Sequence, residues 1–398
     1  MTERAKLSLR IVIFIIASLG FGVLLLYILF HRPPAITPEP DLLPPGDTSG
    51  TEQPPPVALP GSSGNETEPS AVANGGAVFV TQLTASSVVS PTLVSGRDVA
   101  YYDPADGAFY QIDRNGNINA LSEARFPAAQ TVTFSPDAHA AALEFPDGNN
   151  IVYNIERGTQ ATFPTHWSEF VFANDGTHLA SKNLGLDSTN RSLIITSTDG
   201  SQATSIANLG NNANEVKISW SPNDDVVAFS ETGSAQSAFG RQEIYVIDRN
   251  GTAIGTLIVE GSTFSATWSP SGDHILYSVA QTSLNDRPSL WYVEGTGNNI
   301  GGSRKNLAVQ TWVEKCTFMD DVYLLCAVPR EVPDNGGFDH RLVTAPDALV
   351  KINVTNGRKE LLAIPAINMQ MFHLSVSADG SLLYFTDGQN RLNSIQLR

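Results

Sequence analysis

One short pattern recurs along most of this chain and constrains its fold more than any other feature. An aromatic residue is followed by Ser-Pro or a near relative, then Asp, Asn or Ser, and then an apolar run. The clearest copies are Ser219-Trp220-Ser221-Pro222-Asn223-Asp224 and Thr267-Trp268-Ser269-Pro270-Ser271-Gly272-Asp273. Related segments are Thr133-Phe134-Ser135-Pro136-Asp137, Val171-Phe172-Ala173-Asn174-Asp175-Gly176, Thr317-Phe318-Met319-Asp320-Asp321 and Ser375-Val376-Ser377-Ala378-Asp379-Gly380, with a degraded first copy at Val88-Val89-Ser90-Pro91. The anchors at 89, 134, 172, 220, 268, 318 and 376 are separated by 45, 38, 48, 48, 50 and 58 residues.

Each copy continues in the same order. An apolar strand follows the turn, as in Val226-Val227-Ala228-Phe229 or His274-Ile275-Leu276-Tyr277. A second strand then ends in Asn-Gly or Asp-Gly, as in Glu243-Ile244-Tyr245-Val246-Ile247-Asp248 before Asn250-Gly251. Such tight turns need positive φ, which Gly and Asn tolerate. A weaker strand leads to the next anchor. Four short strands repeated every 40–50 residues or so are the mark of a β-propeller. No amphipathic helical stretch follows residue 76, so α/β folds are excluded. The expected fold class is therefore an all-β, seven-bladed β-propeller over 77–398, with six blades as runner-up because the anchor at 89 is weak. The last copy holds only three strands and the first is preceded by Ala77-Val78-Phe79-Val80-Thr81-Gln82-Leu83. A ring without an exposed edge results if this segment supplies the missing outer strand of the last sheet.

The aromatic-Ser-Pro-Asp turn followed by an apolar strand resembles the propeller repeats of the TolB-like family, relatives of WD-repeat proteins. The resemblance covers about 77–398. It implies a six- or seven-bladed ring used mainly for protein interaction. TolB itself is soluble and carries an α/β domain before its propeller, whereas this chain has an apolar segment and a spacer, so only the fold and a general binding habit transfer.

Residues 11–30 contain no charged side chain. At about 1.5 Å per residue they would cross a hydrocarbon core of about 30 Å as a transmembrane helix. Bulky Leu24 to Phe30 stand where a signal peptidase requires small residues, which favours an uncleaved signal anchor. Arg4, Lys6 and Arg10 precede the segment, while 33–76 hold six acids and no Lys or Arg. The positive-inside rule then leaves 1–10 as a cytoplasmic tail and places the propeller outside the cytoplasm, in the periplasm or at the cell exterior. Residues 31–76 form a Pro/Gly/Ser-rich linker expected to be disordered, with eleven prolines in 33–76. Fully extended, such a stretch reaches on the order of 130 Å. A stalk that lifts the domain from the membrane and a plain tether both fit.

A net charge of −16, and 33 acids against 20 bases within 77–398, exclude binding of nucleic acid over the general surface and disfavour anionic polymers. The sequence offers no catalytic residue, cofactor site or metal site: there is no Gly-x-Ser-x-Gly elbow, no His-x-His or His-Glu-x-x-His spacing, and Asp334 to Asp339 lacks the frame of a Ca²⁺ loop. Trp220, Trp268, Phe134, Phe172 and Phe318 recur at the repeat period and read as packing between blades. Cys316 and Cys326 flank the Asp320-Asp321 turn. They are either a structural hairpin disulfide or two small buried residues, and strand register decides between these.

One asymmetry points to a surface. The loops between second and third strands are long at Glu231 to Gln242, Ala280 to Ser289 and Pro329 to Ala348. They emerge on one face of a propeller, and insertions clustered on one face of a repeat fold mark a binding face. Their tips carry Phe239, Arg241, Asp286, Arg287, Phe338, Asp339, His340 and Arg341, which include residue types enriched in interface hot spots. The expected function is a membrane-anchored, extracytoplasmic, non-catalytic module that binds a protein or cell-envelope component. The alternatives are a propeller hydrolase or lyase with a polar central-channel site, and a structural envelope component. On the inner strand starts, Glu169, Glu215 and Glu314 are the acids of note.

Overall fold

The computed structural model describes residues 68–398, apart from 95, 97 and 237–239. The segment 11–30, expected to cross a membrane, lies outside them; among the described residues no helix is long and apolar enough to do so.

Seven antiparallel sheets follow one another along the chain as blades 1 to 7, at 89–120, 131–163, 167–208, 216–259, 262–306, 316–365 and 372–396. Strand direction alternates within each blade. The turns after first and third strands therefore emerge on one face of the ring. The loops after second strands and the passages between blades emerge on the other, here the loop face.

Burial explains why the strands read as continuous apolar runs rather than as strict alternation. Successive side chains on a strand point to opposite faces. In blade 4, Val226 and Phe229 enter a cluster with Phe264, Trp268, Ile275 and Tyr277 of blade 5, while Val227 and Ala228 enter another with Ala180 and Leu193 of blade 3, a register shift between Val226 and Ala228 breaking the strict alternation. In blade 6, Leu324 and Cys326 pack toward blade 5, and Leu325 and Ala327 toward blade 7. Seven such clusters occupy the seven junctions of the ring, the last joining Val99, Tyr101 and Ile112 of blade 1 to Tyr384 and Leu392 of blade 7. Burying one such large side chain contributes about 1.5–3 kcal/mol, so a blade stripped of one neighbour loses many such contributions.

The recurring serine has a physical reason. Ser221 is fully buried at the turn after the first strand of blade 4. Its hydroxyl donates to Asn223 Oδ1 (2.7 Å) and accepts from the Val226 N–H (2.9 Å), while its backbone N–H donates to Val226 O (2.9 Å). Ser135 makes the same set with Asp137 (2.6 Å) and Ala140 (3.0 Å), and Ser377 with Asp379 (2.7 Å) and Leu382 (2.9 Å). In these copies the third residue of the motif accepts a hydrogen bond from the serine, a role for Asp or Asn; in blade 5 Ser271 stands there, 3.1 Å from Ser269 Oγ. These turns also touch across blades: Asn223 Nδ2 donates to Gly272 O (3.2 Å) and the Ser271 N–H to Asp321 Oδ1 (3.0 Å). Trp268 packs on Phe229 of the preceding blade with ring centroids 5.5 Å apart, and its Nε1 donates to Ser219 Oγ (3.0 Å).

The ring is closed by the chain's first described strands. Strand β2 (Thr81–Gln82) pairs antiparallel with the final strand Leu392–Gln396, Thr81 opposite Ser394, and so becomes the outer strand of blade 7. The Leu83 N–H donates to Leu392 O (2.8 Å), and Thr84 Oγ1 accepts from the Leu392 N–H (3.0 Å). Strand β1 (Ala77–Val78) pairs in parallel with Lys359–Pro365, adding a fifth strand to blade 6, and Val78 is fully buried between blades 6 and 7. Pairing begins before these strands: the Ala73 N–H donates to Gln396 O (2.9 Å) and the Gly75 N–H to Leu362 O (2.8 Å). Cys316 and Cys326 stand opposite each other in the first two strands of blade 6 and form a disulfide, with Cα atoms 4.1 Å apart.

Replacing Ser221 by alanine strands the buried Val226 N–H. We expect Ser221→Ala to cost about 1–3 kcal/mol in denaturant unfolding; an unchanged midpoint would show that the hydroxyl is dispensable.

Candidate functional site on the loop face

Blades 5 and 6 build a joint platform from their loops on this face. The loop of blade 5 is shorter than the sequence suggests, because its strands run on to Gln281 and resume at Arg287. The Asn335 N–H donates to Asn285 O (2.8 Å), and the Gly337 N–H to Asp286 O (2.8 Å). Arg287 pairs with Asp334 at 2.9 Å. Gly337 fits so closely that a Cβ there would lie 2.5 Å from Asp286 O. Asp286, Arg287, Phe338, Asp339, His340 and Arg341 thus belong to two loops joined by these bonds. Asp339 caps the short turn that follows and pairs with Arg341 at 2.7 Å, which holds its carboxyl down at about 2. Arg241 lies apart, sharing Glu260 with Arg304. Phe239 lies outside the described residues.

Below the platform, Trp312 donates its indole N–H to Gly337 O (3.2 Å) and packs with Val332 and Val343. Next to it is an ion pair that no motif announced. Lys315, just before the first strand of blade 6, meets Asp347, at the start of its third, at 2.7 Å, and neither side chain is exposed. Asp347 Oδ2 also accepts the Met371 N–H (2.6 Å) on the passage into blade 7, and the Lys315 ammonium lies 4.5 Å from the centre of the Phe372 ring. Asp347 Oδ1 has no hydrogen-bond partner. Burial pushes the lysine down and the aspartate up, and each is opposed by the other's charge. The His340 ring sits beside Trp312 (centroids 6.2 Å) and Phe372 (5.7 Å). Burial lowers both His340 and His373, and His340's charge lowers His373 further. Two histidines far apart in sequence are thus neighbours.

The innermost strands share a device that sequence reasoning missed. In blades 1, 3, 5 and 7 a register shift near the loop face leaves Ser90, Glu169, Thr263 and His373 at positive φ (51°, 58°, 56° and 48°). Such bulges re-aim side chains and often adjoin functional sites. Glu169 is exposed and pairs with the almost fully buried Lys182 (2.7 Å), while its N–H donates to Glu144 Oε2 (3.1 Å) on blade 2. Burial raises Glu144 above the usual carboxylate range, the Glu169 and Phe170 N–H groups oppose this, and Glu169's charge adds to it. Lys217 pairs with Glu231 at 2.7 Å in blade 4, and Glu314 accepts from Ser265 between blades 5 and 6. The loop-face ends of the inner strands therefore carry charge and imidazole on several blades.

No family model matches the chain, and no curated protein matches it. Solved structures do. An oligogalacturonate lyase in complex with manganese aligns with a TM-score of 0.55 at 17% identity, covering 80% of this chain and 93% of the other. The oligogalacturonate lyase of Vibrio parahaemolyticus gives 0.56 at 13%, with the same coverages of 80% and 93%. The β-propeller domain of Cps50 (Swd1) from Myceliophteria thermophila gives 0.52 at 11%, covering 80% of this chain and 100% of that one. At these identities the likeness shows a shared seven-bladed fold. Among the described residues no three His, Cys, Asp or Glu are placed to share a metal ion.

Lys315→Met leaves Asp347 a buried, uncompensated carboxylate, and we expect a loss of about 3–5 kcal/mol. The double variant Lys315→Met/Asp347→Leu is expected to recover most of this in the same denaturant titration. Equal losses in both would assign the cost to packing rather than charge.

Proposed function

We propose that this chain is a TolB-like, non-catalytic binding module, tethered to the membrane by residues 11–30 with its propeller outside the cytoplasm, and that it holds a protein partner on the loop face of blades 5 to 7. The observation that carries this reading is the placement of apolar side chains. Phe338, Leu342 and Ile367 are 50%, 77% and 62% exposed, and all three lie on the loop face of blade 6 or its passage into blade 7. These three are more exposed than the apolar side chains of the turn face, Ile118, Ile254 and Val322, and with Arg341, Asp339 and Arg287 they have the composition of an interface core and rim. The seven packed junctions beneath supply a rigid support.

A second reading, a propeller enzyme, is favoured by one observation: Glu144, held toward its protonated form, adjoins the ion-paired Glu169 at the loop-face end of the inner strands. A carboxyl group that burial holds toward its protonated form suits proton donation. Similarity to oligogalacturonate lyases agrees with it at the level of fold.

The test is photo-crosslinking of the full-length chain in its native membrane, with the probe placed at Leu342, at Ile367 or at Val322 on the opposite face. Discrete protein adducts are expected from the first two positions and not from Val322, and Phe338→Asp should abolish them. Adducts equal at all three positions, or turnover of an oligosaccharide lost in Glu144→Gln, would replace the first reading.

A further inference from the structure

The outer shoulder of blade 3 carries a cleft on the loop face that the preceding reading does not use. It encloses about 960 Å³ and is open to solvent. That volume lies at the upper end of the range for small-molecule sites. One wall is the passage from blade 2, with Thr165 and His166; the floor is Asn183, Ser192, Ser205 and Asn208 on the strands of blade 3; the far wall is the loop 185–190.

The charges in this cleft are already engaged. Arg191 donates from Nε to Gly185 O (3.0 Å) and from an outer nitrogen to Leu186 O (3.5 Å), so its guanidinium holds the loop. Asp187 accepts the Thr189 N–H (2.9 Å), which draws its carboxyl below the usual range. The other polar groups are amides, hydroxyls and one imidazole. Asn183 and Asn208 use their carbonyl oxygens on the N–H groups of Gly185 (3.2 Å) and Gly210 (2.8 Å), leaving both amide NH₂ groups without a protein partner. The hydroxyls of Ser192 and Ser205 and the His166 ring likewise face no protein partner. Leu186, fully exposed, supplies an apolar edge.

We propose that this cleft binds an uncharged oligosaccharide segment. A sugar hydroxyl both donates and accepts, which matches a floor of amide NH₂ and hydroxyl groups. The C–H faces of a pyranose ring match the leucine edge. Arg191 and Asp187 are each tied to the loop by hydrogen bonds, and their opposite signs leave the cleft without an excess charge to draw an ionic ligand. The open side lets a longer chain extend past the protein.

The experiment is calorimetric titration of the purified full-length chain in detergent with cellohexaose, chitohexaose and maltohexaose, with hexagalacturonate as the anionic control. Saturable binding of at least one neutral hexasaccharide is expected, with none of the control. Ser205→Trp fills the cleft and should weaken binding at least about tenfold, or roughly 1.4 kcal/mol; Ser192→Ala/Ser205→Ala, which changes almost no volume, should weaken it in the same direction without moving the thermal midpoint. Phe338→Asp should leave it intact, which separates this site from the protein-binding face. Failure of all three neutral sugars to bind, equal binding of the anionic one, or full binding in both cleft variants would overturn the proposal.

Discussion

A sheet that is apolar on both faces cannot stand at an end, and this requirement governs the whole molecule. The middle strands send side chains from their two faces into two different clusters, as Val226 and Val227 show. Every blade therefore needs two neighbours, and seven blades satisfy one another only if the last meets the first. That meeting is made by β1 and β2: Thr81 and Gln82 complete blade 7, and Val78 fills the junction of blades 6 and 7. The polar features on the loop face depend on it, because Lys315, Asp347, Phe372 and His373 come from both sides of this same region.

The two faces of the ring have divided tasks. On the turn face, a buried serine and an acidic or amide neighbour make nearly the same hydrogen bonds in blades 2, 4 and 7. On the loop face, connections differ in length, the inner strands bulge, and charged groups are brought to the strand ends. The platform of blades 5 and 6 is stiffened by main-chain bonds and by the Trp312–Gly337 contact rather than by a repeat motif. A rigid body with one variable face suits recognition, and the chemistry of that face changes around the ring, from apolar tips at blade 6 to neutral amides and hydroxyls at blade 3.

The fold was legible because its determinants are local and repeated. Ser221, Asn223 and Val226 lie within six residues, so their bonding pattern leaves a visible trace, and the incomplete last unit pointed to the segment that closes the ring. The parallel pairing of β1 on blade 6 left no trace, since two residues, Ala77 and Val78, carry no pattern. The platform residues could be named from loop length, but not their grouping: Arg241 and Arg287 look alike in sequence and have different partners, Glu260 and Asp334. The Lys315–Asp347 pair was illegible because its members are distant in sequence; a lysine set between Val313 and Cys316 beside a strand was its one signal. The inner-strand bulges escaped notice because Ser90, Glu169, Thr263 and His373 share a backbone conformation and no side-chain type.

Closure of the ring by its first strands is most directly tested by removing residues 77–84 from the full-length chain and following thermal unfolding. The account predicts a fall of many degrees in the midpoint, with faster amide exchange at Leu392 to Gln396 and in the strand Lys359–Pro365, because the outer edges of two blades lose their partners. A midpoint and exchange pattern equal to those of the intact chain would contradict it.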